Sequence, residues 1–394
     1  MTERRVVVTG VGAISCLGGG VPAFWAGLMA GGGNPEPIPD PLAHMKARQK
    51  YLVPAADIPA EPRQFAEVPL GRGPRTGVAA ALDAVRDARL EAPDRTRMPV
   101  VMGVEMGNAE MHESGELSGD RWRPMTVGAA AVSAAVGSAA GSVSVGNACA
   151  ASGYALTVAA DMIRAGEADV VLAGGADGGS RAALGAFNRL GALDPVRCRP
   201  FDRHRKGTVF GDGAVFIVLE GADHAAGRDC PPYAELAGDA WSCDAFHITA
   251  PEPTGALIIE TMRSALARSR MRADDIGAII PHGTGTPLND AVESRALNEV
   301  FGPRCATIPV LNLKGMIGHT GGAAGAFAVL AAVLMLRAGV VPAGLPTEEP
   351  DPECPVYVPQ QGPVPITGNA AMANAYAFGG TNVSMILTRS EGYR

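Results

Sequence analysis

The sequence predicts an α/β layered fold made of two similar halves. Runs rich in β-branched residues alternate with alanine-rich stretches of helical length over its 394 residues, the pattern of strands and helices taking turns along a chain. Many of the strand-like runs are apolar without interruption, as expected when a sheet is covered on both faces. The third observation is an internal repeat. ALTVAADMIRAGEADVV from Ala155 aligns without gaps on AVLAAVLMLRAGVVPAG from Ala328, an offset of 173 (328 − 155). VFGDGAVFIVLE aligns on AFGGTNVSMILT at an offset of 168, with Phe210 on Phe378 and Gly211 on Gly379. Two matches in the same order at nearly the same spacing mark a duplicated unit. The halves are expected to meet near residue 230, dividing the chain into 1–230 and 231–394.

In chain order, RVVVTG reads as the opening strand, and FWAGLMAG and TGVAAALDAVRDARL as helices. MPVVMGVE is a short β-branched run bounded by proline and glycine, hence a strand. SGYALTVAADMIRAG reads as a long helix stopped by Gly166, followed by the strands ADVVLAGGA and AVFIVLE. The second half opens with the helix IIETMRSALARSR, the strand IGAIIPHG and the helix AVESRALNEVFG. IPVLNLKG reads as a strand, GGAAGAFAVLAAVLMLRAG as a helix ending at Gly339, and VSMILT as the closing strand.

Composition narrows the function. The chain is 47% hydrophobic and 19% charged, as a soluble globular protein is, and carries a net charge of −7. It has no basic run, so no nucleic-acid partner is expected. The most apolar segment, Ala323–Leu336, falls short of the roughly 18 residues of a membrane helix and is expected in the core. The N-terminus lacks a signal-peptide pattern, and seven scattered cysteines suggest neither a disulfide framework nor a zinc site. A cytoplasmic location is expected. Only Lys46, Lys50, Lys206 and Lys314 are lysines, so a lysine in a special loop stands out.

Such loops exist. In the frame of the repeat, Cys149 of VGNACAASGYAL is the first residue of its long helix, with Gly322 as its counterpart. NLKGMIGHTGG holds Lys314 and His319, and PHGTGTPLND holds His282. Strand-to-helix loops of an α/β sheet gather at the carboxyl ends of the strands. A cysteine at a helix N-terminus has its thiolate favoured by unpaired N–H groups and the dipole, whereas many cysteines are small packed hydrophobes. The stretch itself leaves both readings open. His44, His112, His204 and His224 read as surface residues, and His247 of DAFHITAP as structural or near the site.

Taken together, RRVVVTGVGAIS, RPFDRHRKGTVFGDGAVFIVLE, AFHITAP, PHGTGTPLND, NLKGMIGHTGGAAG and NAYAFGGTN resemble the elongating β-ketoacyl-carrier-protein synthases of the thiolase superfamily, over nearly the whole chain. The resemblance implies the thiolase fold, with duplicated βαβαβαββ halves in five α-β-α-β-α layers. It implies Cys149 as the acyl-accepting nucleophile, His282 and His319 as the histidines acting on a malonyl unit, and Lys314 as the active-site lysine. Thr284 and Thr286 match threonines that bind a phosphopantetheine arm. Phe378, followed by Gly379 and Gly380, matches a gating phenylalanine whose backbone N–H joins that of Cys149 in an oxyanion hole. No bound cofactor and no metal are implied, since substrates arrive on the phosphopantetheine arm of an acyl carrier protein. The implied assembly is a homodimer, or a heterodimer with a chain-length-factor-like subunit. Three residues depart from the family pattern: Asn147 replaces Thr or Ser, Ala377 precedes the FGG turn, and Ala328 replaces a glutamate, which leaves Lys314 without its expected carboxylate neighbour. The segment before the nucleophile and the region from Gly31 to Gly71 also diverge.

The expected activity is decarboxylative Claisen condensation in fatty-acid or polyketide synthesis. Two alternatives remain: an acyltransferase or cyclase using the acyl-cysteine without extension, and a non-catalytic partner subunit. Arg205 and Lys206 are expected in a basic patch facing the acidic carrier.

Overall fold

The computed structural model describes residues 4–38, 45, 48–60, 68–345 and 348–390. His44 and Lys46 lie outside the described residues, as does part of the divergent region between Gly31 and Gly71.

The first half contributes five main strands: β1 (Val6–Ser15), β2 (Val100–Gly103), β3 (Ser142–Val145), β4 (Val170–Asp177) and β5 (Gly213–Gly221). They lie in the order β3-β2-β4-β5-β1, with β2 parallel to both neighbours and the remaining pairs antiparallel. The second half repeats this with β6 (Ala234–Cys243), β7 (Ile276–Ile280), β8 (Ala370–Ala377) and β9 (Thr381–Arg389), in the order β7-β8-β9-β6. Beyond β7, Val310 adds a parallel bridge to Ile279 where the first half has β3. The half-sheets join where β1 meets β6, Val7 opposite Glu235 and Val8 opposite Ala234.

Helices fill three layers around these sheets. In the first half the ones that frame the site and its sheet are α1 (Arg72–Asp87), α2 (Gly128–Val136), α3 (Ala151–Arg164) and α4 (Arg181–Arg189). The second half has α5 (Ala256–Ser269), α6 (Pro287–Phe301), α7 (Leu313–Ile317) and α8 (Ala324–Ala338). Val78 and Val85 of α1 and Val132 of α2 pack with Val100, Phe216 and Val218 on one outer face. Met262 of α5 and Leu297 of α6 pack with Ile276, Met372 and Ile386 on the other. Between the half-sheets, α3 and α8 share one cluster with Val8 and Val215 on one side and Ala371 and Val383 on the other. The five layers are therefore present, each held by apolar side chains removed from water at roughly 1.5–3 kcal/mol per large residue.

Helices α3 and α8 are the repeat seen in the sequence: their first residues, Ala151 and Ala324, are 173 apart. In α8 the residues from Ala324 through Leu336 are all buried. With its leading turn this helix runs 18 residues, Gly321–Ala338, long and apolar enough to cross a membrane, but 89% of it is buried inside the protein. It is a core helix.

Two expectations need correction. IPVLNLKG is not a strand throughout: only Pro309 and Val310 bridge, and α7 takes over from Leu313. Cys149 is not the first residue of α3. It occupies a 3-10 turn, Ala148–Ala150, leading into that helix. Ala148 there adopts φ +44°, a left-handed conformation that costs a non-glycine residue about 1–3 kcal/mol.

Candidate active site

The turns preceding α3 and α8 are equivalent, Ala148–Ala150 and Gly321–Ala323, and each sits where the two halves meet. Ser152 Oγ accepts from the Ala326 N–H at 2.9 Å, pinning the starts of the two helices together. Cys149 thus lies at the centre of the molecule, 3% exposed.

The turn carrying His282 is shaped by two buried carboxylates three residues apart on α6. Glu293 accepts from the N–H groups of His282 and Gly283, both at 2.7 Å. Asp290 accepts from Thr284 and Gly285, each at 3.1 Å, and from the Phe201 N–H at 2.8 Å. His319 is held on its backbone by the loop before β5: its N–H donates to the Val209 carbonyl at 2.8 Å, and its carbonyl accepts from Gly211 at 2.9 Å. Gly318, with φ +73°, precedes it; a Cβ there would come 2.6 Å from the Tyr51 ring.

The two imidazoles stand edge to face, centroids 5.8 Å apart. Burial, with the charge of Lys314, lowers both well below the usual histidine range, so both are neutral. His319 Nδ1 accepts from the Gly321 N–H at 3.1 Å, which leaves the ring proton on Nε2. His282 Nδ1 lies 3.2 Å from Lys314 Nζ, and that ammonium also donates to the His282 carbonyl. A donor at Nδ1 again leaves the proton on Nε2. The pair therefore offers two neutral N–H donors.

Lys314 is buried, and burial lowers its pKa while the charge of Glu293 opposes that. With Ala328 in place, no carboxylate makes an ion pair with Lys314 among the described residues, and the charge of Glu293 of α6 is what offsets its burial. The Cys149 thiol is raised well above its usual value, first by burial and then by the charge of Glu105, with Lys314 pulling the other way. Its resting form is the thiol, so the dipole of the following helix does not by itself prepare a thiolate.

A cavity of roughly 350 Å³ joins these groups to solvent, lined among others by Cys149, His282, His319, Thr284, Thr286 and Phe378. The Thr284 and Thr286 hydroxyls are 2.8 Å apart. Phe378 stacks on Phe187 of α4 at 5.1 Å, and Phe187 meets Phe210 at 4.8 Å. Gly379 and Gly380 turn the chain from β8 to β9 with φ of +85° and +78°, and Gly380 lines the same cavity. Cys149, His282, His319, Thr284, Thr286, Phe378 and Gly380 thus line one cavity, with Lys314 against His282.

Other expectations fare differently. Arg205 is no surface patch: it is buried and paired with Asp351 and Asp290, whereas Lys206 is exposed. His224 is half-buried against Glu220 and Asp94, and His112 packs on Trp122, while His204 is exposed beside Glu349. His247 is exposed and its Nδ1 accepts from Thr249 and Ala250, both at 3.1 Å, fixing a loop at the cavity mouth. Sequence reading passed over Asp290, Glu293, Asp177 and Glu105. The first two were accessible to it, as acids spaced i, i+3 in the helix after PHGTGTP. Asp177 gathers the N–H groups of Glu105, Met106 and Gly107, all at 2.9 Å, and of Gly322 at 2.5 Å, contacts that only tertiary structure reveals.

Comparison with known proteins follows the same outline. The family model for the β-ketoacyl synthase N-terminal domain matches residues 3–225, and that for the C-terminal domain residues 233–348. Nodulation protein E of Rhizobium meliloti is 34% identical, over 96% of this chain and 98% of its own. The 3-oxoacyl-[acyl-carrier-protein] synthase 2 of Synechocystis is 31% identical over 99% of both chains. Among solved structures, the ishigamide ketosynthase/chain length factor superposes with a TM-score of 0.87 at 33% identity, covering 98% of this chain and 100% of the matched one.

Proposed function

This chain belongs to the β-ketoacyl synthase family, an acyltransferase-type enzyme, and from that premise we propose that it extends a Cys149-bound acyl group by decarboxylative condensation with a malonyl group on an acyl carrier protein. The observation that carries the reading is the pair of neutral imidazoles that line the same cavity as the cysteine with their Nδ1 atoms already engaged.

In this reading the Cys149 sulfur attacks the thioester carbonyl of an acyl carrier, and the backbone N–H groups of Cys149 and Phe378 hold the oxyanion. The arm's thiol departs, leaving acyl-Cys149. A malonyl thioester then enters along Thr284 and Thr286, whose hydroxyls suit the amides of a phosphopantetheine arm. Its C–C bond to the carboxylate breaks, CO2 leaves, and the electron pair becomes an enolate. The two imidazoles donate to the enolate oxygen, supplying preorganised stabilisation. The enolate carbon attacks the acyl carbonyl, the C–S bond breaks back to Cys149, and a 3-ketoacyl thioester leaves. Each group has one task, and no redox partner is required.

A synthase with a carrier-protein substrate is named among the relatives, and a chain length factor is named with a solved neighbour. We therefore assign an acyl carrier protein as substrate donor and a second ketosynthase-like chain, identical or not, as subunit partner. The edge strand β3 supports the latter: two of its four residues are exposed, Val143 at 54%.

The test is intact mass spectrometry of a malonyl-loaded carrier mixed with the enzyme and a series of acyl carriers. The expected product is a carrier bearing the acyl chain extended by one ketide unit and lost on Cys149→Ala. An acylated Cys149 beside an unextended malonyl carrier would point instead to acyl transfer without extension. Activity surviving Cys149→Ala in an assembled complex would make this chain the silent subunit.

A further inference from the structure

We propose that Glu105 is a further catalytic residue, the base that takes the thiol proton of Cys149 as the sulfur attacks a thioester. The inference rests on the reading of Cys149 as the acyl acceptor.

Glu105 follows β2 in VMGVEMGN, and its backbone is fixed. Its N–H donates to Asp177 Oδ2 at 2.9 Å, the oxygen that also binds the Gly322 N–H. That places residue 105 against the turn 321–323, the twin of the turn that carries Cys149. A Cβ added to Gly321 would stand 3.2 Å from Glu105 Oε2. Glu105 Oε2 is sealed from solvent and has no hydrogen-bond partner among the described residues. After Asp177, the side chain that its carboxylate acts on is the Cys149 thiol, which it raises in turn. No arginine or lysine pairs with it among the described ion pairs, and the loop needs only its backbone N–H. An unpaired carboxylate in such a place is costly, which fits a chemical use better than a packing one.

The surroundings tune the pair. Burial, then the negative charge of Asp177, pushes Glu105 up to about 8. Asp177, held by four N–H groups, is itself pushed up to about 6 by burial. Facing the thiol from the second half are Lys314 and the neutral His282 and His319. A base titrating near neutrality is the efficient kind, ionised often enough yet basic enough to take a proton. The thiol cannot readily ionise alone, because burial is the largest cause of its raised value. With Glu105 ionised, the proton moves from Sγ to the carboxylate while Sγ bonds to the thioester carbon. The carbon–sulfur bond to the carrier arm then breaks, its electron pair leaves on the arm's sulfur, and the proton held by Glu105 goes to that sulfur. The carboxylate is restored.

The experiment follows acylation of Cys149 from an acyl-pantetheine thioester by intact mass between pH 6 and 9.5, with iodoacetamide labelling alongside. In the native enzyme the acylation rate should rise through an inflection near 8. Glu105→Gln should remove that inflection and slow acylation about 100-fold at pH 8.5, the lower range for a lost general base. Glu105→Ala serves the same purpose if the glutamine variant does not fold. A native profile with no inflection near 8, or a folded variant that keeps the native rate and profile, overturns the role of Glu105 alone. If native Cys149 is neither acylated nor alkylated, it is the nucleophile assignment above that fails.

Discussion

At His319 and His282 the chemistry depends on where one proton sits. The Gly321 N–H and the Lys314 ammonium each occupy an Nδ1, which turns two ordinary imidazoles into Nε2–H donors. Removing one such donor from a charge-stabilising pair typically costs 10²–10³ in rate. His319→Ala is therefore expected to slow CO2 release from a malonyl carrier by about that factor, while iodoacetamide still labels Cys149. Equal loss of both would mean the histidine supports the fold of the site rather than the enolate. Lys314 gives a second handle, because its positive charge lowers both histidines. In Lys314→Met that contribution vanishes and both pKa values rise. The acid limb of the decarboxylation profile should then move to higher pH. An unmoved limb would show that burial alone keeps the rings neutral.

The elements that deliver these residues are the equivalent turns and helices of the two halves, and their crossing is tight. A Cβ on Gly325, in the first turn of α8, would stand 2.6 Å from the Gly153 backbone nitrogen of α3, and neither backbone has room to withdraw. Gly325→Ala should destabilise the protein by about 1–3 kcal/mol or more, seen as a lower midpoint in denaturant, with weaker Cys149 acylation because the Cys149 turn leads into α3. An unchanged midpoint would show that the helices can slide apart. This crossing explains what could be read in advance. Helix periodicity and the 173-residue repeat are local or self-referential signals, so α3, α8 and the loops of Cys149, His282, Lys314 and His319 were legible. The 3-10 turn holding Cys149 was not, because Ala148 carries no mark of its left-handed φ. The charge that offsets the burial of Lys314 was not legible for a related reason: Glu293 acts on it from α6, and sequence neighbours of the lysine say nothing about it.

Across the whole molecule, neither half holds the proposed site alone. The first contributes Cys149, Asp177 and Glu105, the second His282, Lys314, His319 and Phe378, and the cost of gathering them is a set of ionisable groups buried at one seam. That cost has a pH signature. Asp177 and Glu105 are raised to about 6 and about 8, so above their ordinary pKa values the folded protein keeps protons that the unfolded chain has lost. Stability then falls as pH rises, by about 1.4 kcal/mol per unit for each such proton. His282 and His319 act in reverse: with lowered values they stay neutral when folded, so stability falls as pH drops below the usual histidine value of roughly 6.5. On the acid side the two effects oppose each other. Between pH 6.5 and 8 the unfolded histidines no longer take up protons, Asp177 has ionised, and the contribution of Glu105 persists. Unfolding free energies from denaturant titrations should accordingly decline more steeply across that interval in the native protein than in Glu105→Gln, by about 1.4 kcal/mol per pH unit. Parallel slopes in the two proteins would mean that Glu105 titrates as an ordinary surface carboxylate, and would remove the physical basis for its action on Cys149.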